Sequence, residues 1–110
     1  MLIDFDKIAE THAVDFRGGH GIFDRRIFED PRVKIMYSTL RPGASTGLHR
    51  HEQNCEIMFV VSGEGHFYDN GEEEVLHTGQ CHYCAMGYEH YVENQTDHDL
   101  LFLAIVAEHH

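Results

Sequence analysis

From residue 30 onward, short segments rich in β-branched and aromatic residues recur about every ten residues, separated by glycines and prolines. Such segments are typical of β-strands, and their regular spacing is typical of an all-β sandwich or barrel. The dipeptide Asn70-Gly71 suits the positive φ angles of a tight hairpin turn between two of the strands. The predicted strands are Val33–Leu40, 56–61, 65–69, 73–77, Cys81–Cys84, 91–94 and 100–107.

Length and charge limit the kind of protein and the kind of partner. The chain has 110 residues, which suits a single hydrophobic core and therefore one domain. Its net charge of −11, with only 8 lysines and arginines, argues against nucleic acid or an anionic membrane as a partner, since these are bound through basic side chains.

Features that would direct the chain out of the cell or into a membrane are missing from the sequence. The acidic start lacks the basic and apolar regions of a signal peptide, and the longest apolar run, 100–107, is too short to cross a bilayer. The 3 cysteines form no framework of the small secreted type. We therefore expect a protein of the reducing cytoplasm.

The first 29 residues form an arm with a less regular pattern. Residues 3–11 suit either a short helix or an edge strand, and residues 25–29 suit a further strand. The arm is apolar enough to need burial, either against a homodimer partner's sheet or across the mouth of its own barrel. The large apolar residues that need burial include Phe5, Ile8, Phe16, Ile22, Phe23, Ile27 and Phe28. We predict an arm (1–29), a barrel (30–107) and a tail (108–110) that could be a tag remnant.

A group of polar residues in the middle of the chain suggests a metal site. His49 and His51 are two residues apart, so in an extended segment both side chains project to one face. Glu56 opens the next predicted strand, and residues 52–55, with Asn54 as the turn residue, must bend for its carboxylate to rejoin the histidines. His90 is a fourth candidate from a distant loop.

The spacing of these residues resembles the two conserved motifs of the cupin superfamily. Residues 43–63 read G-x5-H-x-H-x4-E-x6-G, which matches the first cupin motif at every position. Residues 79–94 read G-x5-A-x-G-x2-H-x3-N and are similar to the second motif, except that Ala85 stands where proline is usual. The resemblance covers residues 33–107 and implies a double-stranded β-helix, or jelly-roll, barrel.

The resemblance also implies a metal centre inside the barrel. In metal-binding cupins, three histidines and one glutamate hold a single divalent ion, and the matching residues here are His49, His51, Glu56 and His90. This ligand set suits Fe, Mn, Ni, Co or Zn. A six-coordinate ion would keep two positions open for a small-molecule ligand, dioxygen or water.

Other residues are weaker candidates for catalysis. Tyr88 precedes His90, and His66 and His82 lie on predicted strands whose inward face the sequence does not define, so packing is the alternative for each. The C-x-x-C pattern of Cys81–Cys84 suggests redox or zinc chemistry. However, an odd separation on a strand places the two thiols on opposite faces, which favours a packing role.

Two functional classes are compatible with the sequence. The resemblance implies an enzyme that transforms a small oxygenated compound at the metal, by dioxygenation, isomerisation, decarboxylation or elimination. Met58 and Val60 are expected on the ligand side of their strand, and such an apolar wall favours chemistry performed by the metal itself. The alternative is a non-catalytic protein that binds or senses a sugar or organic acid with the help of the metal.

Overall fold

The computed structural model describes residues 1–109, which form two antiparallel sheets. The predicted all-β class and jelly-roll barrel are confirmed. The strands are β1 (Thr11–Val14), β2 (Ile22–Glu29), β3 (Val33–Leu40), β4 (His49–Arg50), β5 (Asn54–Ser62), β6 (Glu64–Asp69), β7 (Glu72–His77), β8 (Cys81–Cys84), β9 (Glu89–Glu93) and β10 (Leu100–Glu108). The larger sheet has the order β1-β2-β3-β10-β5-β8, and the smaller has the order β4-β9-β6-β7.

Most strands follow the sequence prediction. Val33–Leu40 and Cys81–Cys84 have the expected bounds, and the other barrel strands differ by one or two residues at their ends. The predicted hairpin turn is confirmed, because Asn70 and Gly71 have φ angles of 46° and 96°. No helix among residues 1–109 is long and apolar enough to span a membrane.

The inward faces of the two sheets form the hydrophobic core. The alternation predicted along β5 is confirmed, because Met58 and Val60 are buried whereas Phe59 is exposed. Full burial of one large apolar side chain stabilises a fold by about 1.5–3 kcal/mol, so this shared core is what holds the two sheets together. Its members include Phe23, Met36, Leu40, Met58, Val60, Phe67, Leu76, Val92, Leu100, Phe102, Ala104 and Val106.

The arm packs on its own barrel. Strand β2 pairs with β3 from Phe23 opposite Leu40 to Glu29 opposite Lys34, and β1 pairs with the outer side of β2. Residues 3–11 form neither a helix nor an edge strand over their length; they contain a 3-10 turn at Phe5–Lys7 and reach β1 only at their end. The predicted strand 25–29 begins earlier, at residue 22. The arm therefore extends the larger sheet, and the homodimer stays a prediction.

The arm is also anchored to the loop that leads into β4. Gly47 donates its N–H to Phe16 O at 2.8 Å, and a Cβ atom at Gly47 would overlap the Arg17 carbonyl. A Cβ atom at Gly19 would likewise overlap the Ser45 carbonyl. Only glycine allows two backbones to approach this closely, so these two positions hold the arm against the segment that carries His49.

The last strand extends one residue beyond the predicted barrel. Residue 108 still belongs to β10, and His109 donates its backbone N–H to Gln53 O at 3.0 Å. His110 lies outside the described residues. The last strand therefore ends at residue 108, with one further backbone hydrogen bond from His109.

Candidate metal centre

The four predicted ligands lie on elements from both sheets. In the smaller sheet, β4 pairs with β9 so that His49 lies directly opposite His90. His51 follows β4, and Glu56 lies in β5 of the larger sheet. The predicted turn at Asn54 is wrong, because the chain bends at residues 52 and 53 and Asn54 already belongs to β5. This bend brings the two sheets together around the four side chains.

The spacing of the donor atoms matches adjacent positions around a six-coordinate ion. Glu56 Oε1 lies 3.0 Å from both His51 Nε2 and His90 Nε2, and the two nitrogens are 3.0 Å apart. His49 Nε2 lies 3.1 Å from His90 Nε2. Two atoms bound at about 2.1 Å and at right angles are about 3.0 Å apart, whereas tetrahedral ligands would be about 3.4 Å apart. The group could therefore hold a divalent ion of octahedral preference.

Each of the three histidines has a hydrogen-bond acceptor for its Nδ1–H group. A proton at Nδ1 leaves the lone pair on Nε2, which is the atom that faces the centre. With a metal ion bound, hydrogen bonds behind the ligands would hold each Nδ1–H and fix the orientation of each ring. The acceptors are Gly47 O for His49 (2.7 Å), Asn54 Oδ1 for His51 (2.5 Å) and His82 Nε2 for His90 (3.0 Å).

Two of the four ligands are already deprotonated near neutral pH. Burial alone would raise the pKa of Glu56, but hydrogen bonds from His51 and His90 outweigh it and lower the pKa to about 2. Burial lowers the pKa of His49 to about 4. For His51, burial acts in the same direction, yet its hydrogen bonds to Glu56 and Asn54 raise its pKa above the usual 6.5. A metal ion must therefore displace a proton from His51.

His82 lies behind His90, on the side away from the centre. Its ring lies nearly parallel to the His90 ring with centroids 5.3 Å apart, and it packs against Phe67 at 4.9 Å. Only 4% of His82 is exposed, and burial lowers its pKa to about 4, so the ring is neutral and can accept the His90 hydrogen bond. His82, a catalytic candidate in the sequence, therefore lies behind a candidate ligand, where it can orient the His90 ring.

The other catalytic candidates lie away from the four donor atoms. His66 is on the outer face of β6, where its Nε2 lies 3.5 Å from Glu73, while Phe67 occupies the inward face. The Tyr88 side chain is 44% exposed, and its contact with the centre is through its carbonyl, which accepts the His51 N–H at 3.0 Å. The structure thus gives neither side chain access to the site.

The cysteines behave as the packing interpretation predicts. Cys81 is exposed and Cys84 is buried, so the two lie on opposite faces of β8. Both are free thiols, as is the buried Cys55. The redox and zinc interpretations of the C-x-x-C pattern therefore have no structural basis.

A small cavity of about 60 Å³ adjoins the metal centre. This volume corresponds to about four to six water molecules. Three ligands, apolar side chains and three cations surround it. The lining residues are Phe16, Arg17, Phe23, Arg25, Lys34, Met36, Thr46, His49, His51, Glu56, Met58 and Val106.

The cations of this cavity are not among the site residues that the sequence predicts. Phe23 and Arg25 are two residues apart on β2, so they share a face, and Phe23 is buried in the core. A charged residue on the apolar face of a strand was the available signal. It could not be used, because the predicted strand began at residue 25, after Phe23, and the inward face was therefore unknown.

Replacing His82 with phenylalanine is expected to weaken metal binding by about 10–100-fold, since it removes the acceptor of the His90 Nδ1–H. Phenylalanine should fit the apolar contact with Phe67, so the fold should survive. His82→Gln, which can offer a carbonyl oxygen, should recover part of the affinity. Calorimetric titration with Mn²⁺ measures the effect. Equal affinities in the parent and His82→Phe would show that the hydrogen bond does not support the ligand.

Comparison with known proteins agrees with the motifs. The family described as "Cupin domain" matches residues 36–106. An oxalate-binding protein from Thermotoga maritima is 30% identical over 112 residues, covering 96% of this chain and 93% of the relative. Oxalate decarboxylase from Bacillus subtilis is 32% identical over 111 residues, covering 94% of this chain but 29% of the relative.

A solved structure extends the comparison to the whole chain. The crystal structure of a predicted oxalate decarboxylase from Thermotoga maritima superimposes with a TM-score of 0.92 at 30% identity, covering 98% of this chain and 99% of that one. The match includes the arm as well as the barrel. With both motifs, the barrel fold and the family match in agreement, the chain belongs to the cupin superfamily.

Proposed function

We propose that this chain binds one divalent metal ion through His49, His51, Glu56 and His90, and that the ion holds a small dicarboxylic acid of the oxalate type. The observation that carries the proposal is the set of four donor atoms on the half-buried His49 and His51 and the buried Glu56 and His90, three of them mutually 3.0 Å apart, beside a cavity lined with cations. When bound, the ion supplies a Lewis-acid centre for the oxygens of the acid.

The donor set narrows the choice of metal. Three imidazoles and one carboxylate suit Mn, Fe, Co, Ni or Zn. The spacing of 3.0–3.1 Å favours an ion with right-angled ligands over tetrahedral zinc. With four protein ligands, an octahedral ion keeps two coordination positions open. A chelating dicarboxylate occupies two coordination positions.

Charge favours an acid over a neutral sugar. A doubly charged ion and the Glu56 carboxylate together carry a net charge of about +1. Arg17, Arg25 and Lys34 add positive charge around the same cavity, although the chain as a whole has a net charge of −11. A small dianion would therefore be attracted to this one part of an acidic protein. The names of two relatives, an oxalate-binding protein and an oxalate decarboxylase, support the same ligand class.

Binding without turnover is the favoured form of this function. Among the described residues that line the cavity, Glu56 is the one residue with a carboxylate. This carboxylate is already hydrogen-bonded to His51 and His90. No second acid lines the cavity within residues 1–109 to give or take a proton. An enzyme stays the second candidate, because 94% of the chain resembles part of an oxalate decarboxylase.

Calorimetric titration of the Mn²⁺-loaded protein with oxalate tests the proposal. We expect saturable binding at one oxalate per chain, no binding to chelator-treated protein and no loss of oxalate over several hours. Glucose serves as the neutral control and should not bind. Failure of oxalate to bind the loaded protein would contradict the proposal, whereas release of formate and CO₂ would select the enzyme.

A further inference from the structure

The three basic side chains of the cavity all come from the part of the chain that precedes the family match. The family match begins at residue 36, and Arg17, Arg25 and Lys34 all precede it. The four metal ligands, in contrast, lie within the matched segment. The metal centre and the charge of the cavity wall therefore come from separate parts of the chain, and ligand selection can differ among proteins that share the metal centre.

We propose, building on the function proposed above, that Arg25 is the anion-binding residue of this cavity and donates a hydrogen bond to a carboxylate of the metal-bound acid. Its position on β2 places it on the same face as the buried Phe23. The register of β2 with β3 sets Arg25 opposite Ser38, which is fully buried. The side chain thus enters the cavity from the barrel wall.

Two aromatic rings hold the Arg25 guanidinium. Its central carbon lies 4.6 Å from the centre of the Phe16 ring and 5.2 Å from that of Phe23. Cation–π contacts of this kind orient the guanidinium plane while leaving its N–H groups free to donate. The group is therefore preorganised before any ligand arrives, which lowers the entropic cost of binding.

The Arg25 guanidinium has an unmet donor. Its Nε atom is buried and has no hydrogen-bond partner within residues 1–109. A buried donor without a partner costs free energy, and folded proteins rarely keep one. Burial and the neighbouring Arg17 lower the pKa of Arg25, although it stays charged at neutral pH because its ordinary value is 12.5. An anion in the cavity would accept a hydrogen bond from Arg25 Nε and would balance the positive charge of the guanidinium.

The other two cations are less suited to this role. Arg17 is exposed, and Lys34 lies 3.5 Å from the carboxylate of Glu29. The cavity, at about 60 Å³, accommodates a ligand of about six non-hydrogen atoms, which is the size of oxalate. Arg25 and the metal together therefore select a short acid with two carboxylates over acids with one.

Oxalate affinity of Arg25 variants, measured by calorimetry on Mn²⁺-loaded protein, tests this inference. Arg25→Met keeps the apolar contact with Phe16 and Phe23 but removes the donors, and we expect oxalate to bind about 10–100-fold more weakly. Acetate affinity should change less, and the Mn²⁺ content should stay equal to that of the parent. Arg32→Met, an exposed cation elsewhere on the chain, is the matched control and should bind oxalate like the parent.

The outcomes separate this inference from the function on which it rests. Unchanged oxalate binding in a folded, metal-loaded Arg25→Met would overturn the role of Arg25 and leave the proposed function intact. A parent protein that holds Mn²⁺ but does not bind oxalate would overturn both. If Arg25→Met does not fold, Arg25→Lys keeps the charge without the Nε–H donor. This variant should still lose part of the affinity, and a parent-like affinity would contradict the inference.

Discussion

Replacing His90 with alanine is expected to lower the affinity for a divalent ion by more than about 100-fold, since loss of a residue behind a ligand already costs about 10–100-fold. His90 Nε2 lies 3.0 Å from the donor atoms of both Glu56 and His51, and 3.1 Å from that of His49. Loss of His90 therefore removes the one donor atom that lies next to the donor atoms of all three other ligands. Metal content after incubation with Mn²⁺ and desalting measures the effect, and circular dichroism reports whether the barrel stays folded.

His66→Ala is the matched control for this variant. It also removes a histidine from the smaller sheet, but this histidine lies on the outer face of β6 beside Glu73. We expect His66→Ala to retain one metal ion per chain. A folded His90→Ala protein that also retains one ion per chain would contradict the assignment of His90 as a ligand.

Metal affinity is expected to fall about tenfold for each pH unit between about pH 6.5 and 5, because one proton on His51 then competes with the ion. The raised pKa of His51 lies above this range, so the metal-free site is protonated there. His49 and Glu56, with pKa values of about 4 and about 2, are already deprotonated and add no competition. Metal binding should therefore release at least one proton.

Titrations with Mn²⁺ at several pH values, in buffers of different ionisation enthalpy, measure both the affinity and the number of protons released. If protons also compete at another ligand, the metal affinity will fall more steeply as the pH falls. Such competition therefore cannot hide the effect of His51. An affinity that stays constant from pH 7.5 to 5.5 would show that His51 does not exchange its proton for the metal.

The metal ligands could be predicted because their placement depends on short-range geometry and on the motifs. His49 and His51 share a face over a spacing of two residues, and the motif spacing identifies Glu56 and His90. The structure adds the distances and the hydrogen-bond partners behind the ligands, such as Gly47, which no sequence pattern encodes.

The arm could not be predicted to the same degree. Its contribution to the cavity depends on which residue of β2 lies opposite which residue of β3, and a shift of one residue would turn Arg25 outward. The close approach of Gly47 to the Arg17 carbonyl is likewise a contact between distant segments. His82 was a candidate in the sequence, but its place behind His90 depends on a hydrogen bond between side chains of β8 and β9 that no sequence pattern specifies.

Anomalous diffraction at the metal absorption edge shows most directly whether four side chains from both sheets hold one divalent ion. Crystals of the Mn²⁺-loaded protein should give one anomalous peak per chain, about 2.0–2.3 Å from the Nε2 atoms of the three histidines and from a Glu56 oxygen. A peak elsewhere on the chain, or none at this position at full Mn²⁺ loading, would contradict the account.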